Sequence, residues 1–236
     1  MKKQSTMYID GKFVKVNRKA LEAFTPGVFK AKGVFETMLA VDGKVFDVPQ
    51  HLQRLHHGFK GAQVSSQMIT QVVKANGFLV ARVRIVAWRE GRHKHTAVMA
   101  LKYTMAPKKI FKVCVIKTHR PASSRFANIK SLDYHLFFQG YRRARAQGFD
   151  EALLVNARGY IFEASRANVF WVKKGKLYTP PLSSGCLNGI TRQQVIQYAH
   201  RLKIPFQERN VTVGEIQKAD TIFITNSLMG IKSCFL

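Results

Sequence analysis

Glu163 is a carboxylate at a position where an apolar side chain is expected. It lies in GYIFEASRANVFWV (residues 159–172), whose outer runs at 160–162 and 169–172 are typical of β-strands. The chain has only 13 acidic residues. A carboxylate inside a sheet costs several kcal/mol unless a cation or hydrogen-bond donors meet it. The sequence therefore predicts a cationic partner for Glu163.

Three further stretches place polar groups where chemistry could occur. In SSGCLNGITRQQV (183–195), Gly185 and Gly189 precede a helix predicted from about Thr191, and exposed N–H groups at a helix start bind anions. TNSLMG (225–230) follows a predicted strand, where ligand loops often lie. ANIKSLDY (127–134) contains Lys130, a possible nucleophile. By spacing alone, the first stretch also fits an ordinary capped helix and the second an ordinary turn. Lys130 in the third also fits a solvent-exposed lysine.

The composition is strongly basic. The 236 residues include 39 Lys and Arg, giving a formal net charge of +26, and these residues are spread over the whole length. This pattern fits a uniformly cationic surface or the steering of an anionic substrate. It contains no recognisable nucleic-acid-binding motif, so we do not expect a nucleic-acid partner.

The cysteines and the apolar runs favour a cytoplasmic protein. Cys114, Cys186 and Cys234 are widely spaced, without the pairing of a disulfide framework or a zinc site. The stretch MKKQSTMYIDGKFV lacks the apolar core of a signal peptide. The longest apolar run is interrupted by Arg82 and Arg84, and no run approaches the roughly 20 residues of a membrane span.

Sequence patterns predict two α+β domains, residues 1–107 and 108–236. In the first, Asp10-Gly11 and Asp42-Gly43 predict hairpin turns. A helix capped by Asp47 and a second short helix follow, and two antiparallel strands complete the domain. The second is predicted to contain a strand from residue 110, a long helix after Lys130, three strands between 150 and 181, another helix, and a final strand and loop.

The ordered motifs IKSLDY, GFDEALLVNARGYIFEASRANVFWV, KLYTPPL, GCLNGITRQQV and ADTIFITNSLMGI resemble those of the class IV (fold type IV) pyridoxal-phosphate enzymes. The similarity extends upstream through GVFETMLAVDGKVFDVPQHLQRL and covers nearly the whole chain. The family includes branched-chain aminotransferases, D-amino-acid transaminases and 4-amino-4-deoxychorismate lyases. The resemblance implies a small N-terminal α/β sandwich, a larger C-terminal β-barrel-like domain with flanking helices, and a homodimer that binds pyridoxal 5'-phosphate.

The resemblance also assigns roles to individual residues. Lys130 matches the lysine that holds the cofactor covalently and then acts as the base. Glu163 matches the carboxylate that pairs with the cofactor's pyridine nitrogen, which would be its cationic partner. Tyr134 lies near the position of a tyrosine that faces the phenolic oxygen. The matches to the remaining cofactor-binding positions, at the phosphate or its loops, are Arg54, Ile190, Thr191, Asn226 and Ser227.

The reaction is predicted from smaller features. Thr37 and Asn226 resemble the lyases at positions where branched-chain enzymes tend to carry glycine, and Thr37 could protonate the leaving oxygen. Arg84 and Arg92 fall near the lyases' substrate-facing cations. We therefore expect an aminodeoxychorismate lyase acting in folate biosynthesis, and a class IV aminotransferase for branched-chain or D-amino acids is the alternative.

Two other readings stay open. Arg92 with Lys94 or His95, in GRHKHTA, could imitate the carboxylate trap of the D-amino-acid transaminases. A binding protein without catalysis is the third class, and the presence of both Lys130 and Glu163 argues against it.

Overall fold

A computed structural model describes residues 5–16, 32–105, 107–119 and 129–236. These residues divide into two compact units. The first unit comprises the described residues up to 105 together with 129–134. The second comprises 107–119 and 135–236. Residues 120–128, the start of the loop predicted before the long helix, lie outside the described residues.

The first unit is built around one antiparallel sheet. Its strands are β1 (Thr6–Ile9), β2 (Lys12–Lys15), β3 (Lys32–Val41), β4 (Lys44–Val45), β5 (Val80–Glu90) and β6 (His93–Lys102). They are ordered β2-β1-β6-β5-β3-β4. The predicted hairpins at Asp10-Gly11 and Asp42-Gly43 are confirmed, and all four of these turn residues have positive φ.

Two helices cover one face of this sheet: α1 (Val48–Gly58) and α2 (Ser66–Asn76). Alternate residues of β3 and β5, including Val34, Met38, Val83 and Ile85, form the core with Leu55 of α1. The predicted cap at Asp47 is wrong. Asp47 has φ 56°, and its side chain makes no capping hydrogen bond. Its left-handed backbone instead forms the turn that leads into α1.

The second unit contains a mixed, curled sheet. Its strands are β7 (Ile110–Lys117), β8 (Glu151–Val155), β9 (Ile161–Ala164), β10 (Asn168–Lys173), β11 (Lys176–Thr179), β12 (Phe206–Glu208), β13 (Thr221–Asn226) and β14 (Gly230–Phe235). Their order is β12-β11-β10-β13-β14-β7-β8-β9. The sheet curls so that β9, at one end of the order, contacts β10 in its interior.

The helices of the second unit are α3 (His135–Ala146), α4 (Ile190–Arg201) and the short α5 (Val213–Ile216). The prediction of three strands between 150 and 181 is wrong, because the four strands β8 to β11 lie there. GYIFEASRANVFWV supplies two of them, joined by residues 165–167. In the described part of the chain, no helix is both long and apolar enough to cross a bilayer.

Candidate active site

Lys130 lies on a short segment that extends the edge of β3. The Lys130 carbonyl accepts a hydrogen bond from Phe35 N at 2.9 Å, and Leu132 N donates to Gly33 O at 2.9 Å. A Cβ atom at Gly33 would lie 2.4 Å from Ala87 O and 2.7 Å from Leu132 Cδ1. Only glycine permits this close approach, which fixes the backbone on either side of Lys130.

Two aromatic rings lie close to the Lys130 amine, and a second cation contacts one of them. Lys130 Nζ lies 4.6 Å from the ring centroid of Phe35 and 5.4 Å from that of Tyr134, and the two rings meet edge to face. Arg84 Cζ lies 4.4 Å from the Phe35 centroid. Burial lowers the pKa of Arg84 to about 10, with a contribution from the charge of Arg82, while Tyr134 acts in the opposite direction.

The other substrate-facing candidates of this unit are placed differently. Thr37 is half-buried and pairs across the sheet with Arg84. Arg92 is exposed in the turn between β5 and β6. His95 Nδ1 lies 2.7 Å from Asp10 Oδ2, and its ring stacks on Trp88. The structure therefore brings Lys130, Tyr134 and Arg84 together around Phe35, whereas His95 is engaged by Asp10.

Arg54 belongs to a buried network that the sequence analysis missed. Its guanidinium makes a two-pronged contact with Glu36, Nε to Oε1 and Nη2 to Oε2, both at 2.7 Å. His51 Nδ1 lies 2.7 Å from the same Oε2. Burial raises the pKa of Glu36, but hydrogen bonds from Arg54 and His51 outweigh it and hold the pKa at about 2. Glu36 therefore fixes Arg54 in one orientation.

The signal for this network was present in the sequence. Glu36 is an acid inside the apolar run VFETML, the same anomaly that identified Glu163. His51 and Arg54 are three residues apart, which places them on one face of α1.

In the second unit, Glu163 lies on β9 with 6% of its surface exposed. Its Oε2 accepts a hydrogen bond from Leu187 N at 3.2 Å. Leu187 belongs to the loop that leads into α4, so the carboxylate faces this loop. The burial expected for Glu163 is confirmed.

The start of α4 is held close to the sheet. Asn168 Nδ2 donates to Leu187 O at 2.8 Å, and a Cβ at Gly189 would lie 2.0 Å from Asn168 Oδ1. Gly189 provides no side-chain cap. The N–H groups of Ile190 and Thr191 lie in the first turn of α4. They have no acceptor within the helix, because the carbonyl four residues earlier lies before the helix begins. They are suited to an anion.

The loop after β13 is shaped by Asn226. Its Oδ1 accepts from Leu228 N at 3.0 Å and from Met229 N at 2.9 Å, and its Nδ2 donates to Arg166 O at 2.9 Å. Its side chain thus orders the turn that carries Ser227, which is half-buried.

Donor groups of the second unit fit a phosphate. Thr225 pairs with Asn168 across the sheet, so the two side chains share a face. Thr225 is 1% exposed, and its hydroxyl has no hydrogen-bond partner among the described residues. A buried, unpartnered hydroxyl on the face that contacts the α4 start is consistent with an anionic ligand there. The described residues contain no group of three potential metal ligands.

Comparisons with known proteins identify the family of this chain. The family described as amino-transferase class IV matches residues 33–234. A putative branched-chain-amino-acid aminotransferase of Methanocaldococcus jannaschii is 28% identical, with 97% of this chain and 86% of that protein covered. An aminodeoxychorismate lyase of Bacillus subtilis is 25% identical, with 95% and 84% covered. The crystal structure of a branched-chain aminotransferase from Thermoproteus uzoniensis superposes with a TM-score of 0.86 at 28% identity, covering 98% and 86%.

The chain belongs to the class IV aminotransferase family. It is a pyridoxal-phosphate-dependent enzyme, and its α+β fold with a curled second sheet is the one expected. The lyase reaction is not singled out, because the relatives named here include both an aminotransferase and a lyase. The homodimer and the cytoplasmic location stay predictions.

Proposed function

We propose that this enzyme is an aminotransferase that moves an amino group between a branched-chain amino acid and a 2-oxo acid. The observation that carries the proposal is the setting of Lys130, whose amine lies against Phe35 and Tyr134 with Arg84 on the same Phe35 ring. Aromatic rings suit an aliphatic side chain, and a guanidinium suits a carboxylate. The branched-chain aminotransferases among the relatives support the same reading.

The proposal includes the residues that contact the cofactor, and membership of the family supports them. Lys130 would hold pyridoxal phosphate covalently, and Glu163 would accept a hydrogen bond from its ring nitrogen. When bound, the cofactor supplies an electron-accepting ring that stabilises the charge left when a Cα–H bond breaks. Phosphate binding falls to the Arg54 guanidinium, the Ile190 and Thr191 N–H groups, and the Ser227 hydroxyl.

The chain's own residues then carry the proton. Once the substrate's amine has displaced it from the cofactor, Lys130 Nζ would be a free neutral amine that takes the proton from the substrate's α-carbon and holds it for return. Arg84 orients the substrate through a carboxylate. Glu36 keeps Arg54 aligned, so the phosphate contact costs no reorganisation when the cofactor binds.

The proposal is tested by mass spectrometry and by assay. Borohydride reduction of the purified protein should attach the cofactor permanently to the peptide that contains Lys130. Incubation with L-leucine and 2-oxoglutarate should produce glutamate. Lys130→Ala should lose both results, whereas Lys74→Ala, an exposed lysine on α2, should keep them. Cofactor found on another lysine would refute the assignment.

The lyase is a second candidate, favoured by one observation. Thr37 pairs directly with Arg84, so a hydroxyl and a cation lie side by side on one sheet face. 4-Amino-4-deoxychorismate offers carboxylates for the cation and an enolpyruvyl oxygen for the hydroxyl. Release of pyruvate and 4-aminobenzoate from this substrate, with no glutamate formed from L-leucine, would replace the first proposal by this one.

A further inference from the structure

Glu163 and Asn168 lie on either side of one short turn in the second unit. Glu163 is on β9, Asn168 begins β10, and residues 165–167 join the two strands. The Ala164 N–H donates to the Ala167 carbonyl at 2.8 Å, which closes the turn. Both side chains are buried. The same backbone turn therefore holds a buried carboxylate and a buried amide.

Both side chains contact the same residue, Leu187, in the loop that leads into α4. Glu163 Oε2 accepts a hydrogen bond from Leu187 N at 3.2 Å. Asn168 Nδ2 donates to Leu187 O at 2.8 Å, and Gly189 N donates to the same oxygen at 2.9 Å. The peptide groups on both sides of Leu187 are therefore fixed, one by the carboxylate and the other by the amide.

A second buried asparagine, Asn156, holds the same loop at another point. Its Nδ2 donates to Ser184 O at 3.1 Å. This contact is made three residues before Leu187, so Asn156 supports the loop without bonding the residue that donates to Glu163. Removal of either amide leaves a carbonyl without that donor, which costs free energy. Asn156 is thus a matched control for Asn168.

The hydrogen bond from Leu187 N acts on the carboxylate in two ways. It restricts the direction of the Glu163 side chain, and it favours the ionised form. Both effects require that Leu187 stays in place, and Asn168 provides a buried bond to its carbonyl. In the proposed function, Glu163 accepts a hydrogen bond from the cofactor's ring nitrogen. Such a contact depends on support from the groups behind it.

We propose that Asn168 is a positioning residue that orients the Glu163 carboxylate towards the cofactor's ring nitrogen through Leu187. This inference rests on the proposed function and deepens it by assigning a residue that controls the ring-nitrogen proton from behind Glu163. Loss of the amide would loosen Leu187 and leave the carboxylate less firmly aligned. The ring nitrogen would then keep its proton less well, and the ring would accept electrons less well.

The first test observes the ring nitrogen directly and needs no turnover. The protein is loaded with cofactor whose ring carries the heavy nitrogen isotope, and the nitrogen resonance is measured by solid-state NMR. Glu163→Gln, which removes the charged acceptor, marks the position expected when the proton is lost. Asn168→Ala should move the resonance from the wild-type position towards that mark, and Asn156→Ala should leave it unchanged. An unmoved resonance in Asn168→Ala, or an equal shift in Asn156→Ala, would overturn the proposal.

The second test separates positioning from general support of the fold. Asn168→Ala should lower kcat at saturating cofactor roughly tenfold, the equivalent of one hydrogen bond. Asn156→Ala should keep kcat near the wild-type value while it lowers the thermal midpoint, because it too removes a buried hydrogen bond to the loop. Equal losses of kcat in both variants would contradict a role specific to Asn168.

The outcomes also separate this inference from the proposed function. Amino transfer by the wild type, with a resonance that Asn168→Ala does not move, would refute the positioning role alone. A shift in Asn168→Ala, together with lyase activity in place of amino transfer, would support the positioning role and refute the aminotransferase. An unmoved resonance in Glu163→Gln would refute the ring-nitrogen contact itself. Should Asn168→Ala fail to fold, Asn168→Ser, whose shorter side chain also gives up the Leu187 contact, takes its place.

Discussion

At the residue scale, the decisive feature is how buried charges are satisfied. Glu36 is 1% exposed and receives hydrogen bonds from Arg54 and His51. Arg82, by contrast, has a buried Nε without a partner in the described part of the chain. A satisfied buried charge fixes geometry, and a buried polar atom without a partner costs free energy. The two arginines therefore differ: Glu36 holds Arg54 in one orientation, whereas the Arg82 Nε is unpaired among the described residues.

Glu36 should make stability depend on pH in the acid range. Its folded-state pKa is about 2 against an ordinary 4.5. The stabilisation, on the order of 3 kcal/mol, is thus complete above pH 4.5 and is lost as the pH falls towards 2. Urea unfolding at several pH values measures it. Glu36→Gln should flatten this dependence, and unchanged acid sensitivity in that variant would contradict the prediction.

At the scale of elements, close backbone approaches position the polar groups. The Lys130 segment lies against β3 because Gly33 has no side chain, and the start of α4 lies against Asn168 because Gly189 has none. A Cβ atom at either glycine would overlap its neighbours. In each unit, a glycine therefore fixes the position of one backbone segment: the Lys130 segment in the first unit and the start of α4 in the second.

Gly189→Ala should displace the start of α4. The added Cβ would lie 2.0 Å from Asn168 Oδ1, so the helix start or the amide must move. We expect a loss of about 1–3 kcal/mol in unfolding free energy, as for an overpacked core, and weaker cofactor affinity. Calorimetry and cofactor titration measure the two effects. Gly214→Ala is the matched control, because a Cβ there meets nothing within 4 Å; equal effects of both substitutions would count against this role.

Glu151 should position the Ser227 loop from a distance. Glu151 is 1% exposed and accepts hydrogen bonds from Ser165 Oγ and, at 3.0 Å, from Arg166 Nε. The Arg166 carbonyl in turn accepts a hydrogen bond from Asn226 Nδ2. Glu151→Gln should lower cofactor affinity about tenfold by loosening this chain of bonds. Its kcat at saturating cofactor should stay close to wild type. A loss of kcat without a loss of affinity would argue for a different role.

Elements with strong local signals could be predicted from the sequence. Asp10-Gly11 and Asp42-Gly43 adopt the positive φ that their turns require, and Gly77 ends α2 with φ 65°. The predicted cap at Asp47 was wrong because the left-handed backbone of this residue leaves its side chain without a capping hydrogen bond. The predicted number of strands after α3 was wrong because the short turn at 165–167 divides one predicted strand into two. The Glu36 network was missed because a strand residue and a helix pair meet only in the folded chain.

At the scale of the whole molecule, charge dominates. The formal net charge is +26, and several of the 13 acids are already paired with cations, among them Glu36, Asp150, Glu151 and Asp220. Most basic side chains therefore have no acidic partner to balance them. Self-repulsion of this size destabilises a compact state and attracts small anions towards the protein.

Added salt should therefore stabilise the enzyme. The screening length falls from about 10 Å at 0.1 M ionic strength to about 3 Å at 1 M, which weakens repulsion among the surface cations. The midpoint of thermal unfolding should rise with sodium chloride over this range. Sodium perchlorate at equal ionic strength separates screening from specific chloride effects. A falling midpoint in both salts would show that surface repulsion is not a major cost.

The Phe35 ring is a suitable place for a spectroscopic label that reports on two charged groups. The amine of Lys130 lies 4.6 Å from its centre and the guanidinium carbon of Arg84 4.4 Å. A fluorine atom introduced there by site-specific labelling would experience the electric fields of both groups. Its nuclear resonance frequency would then change with the charge on either group, so that one label reports on both.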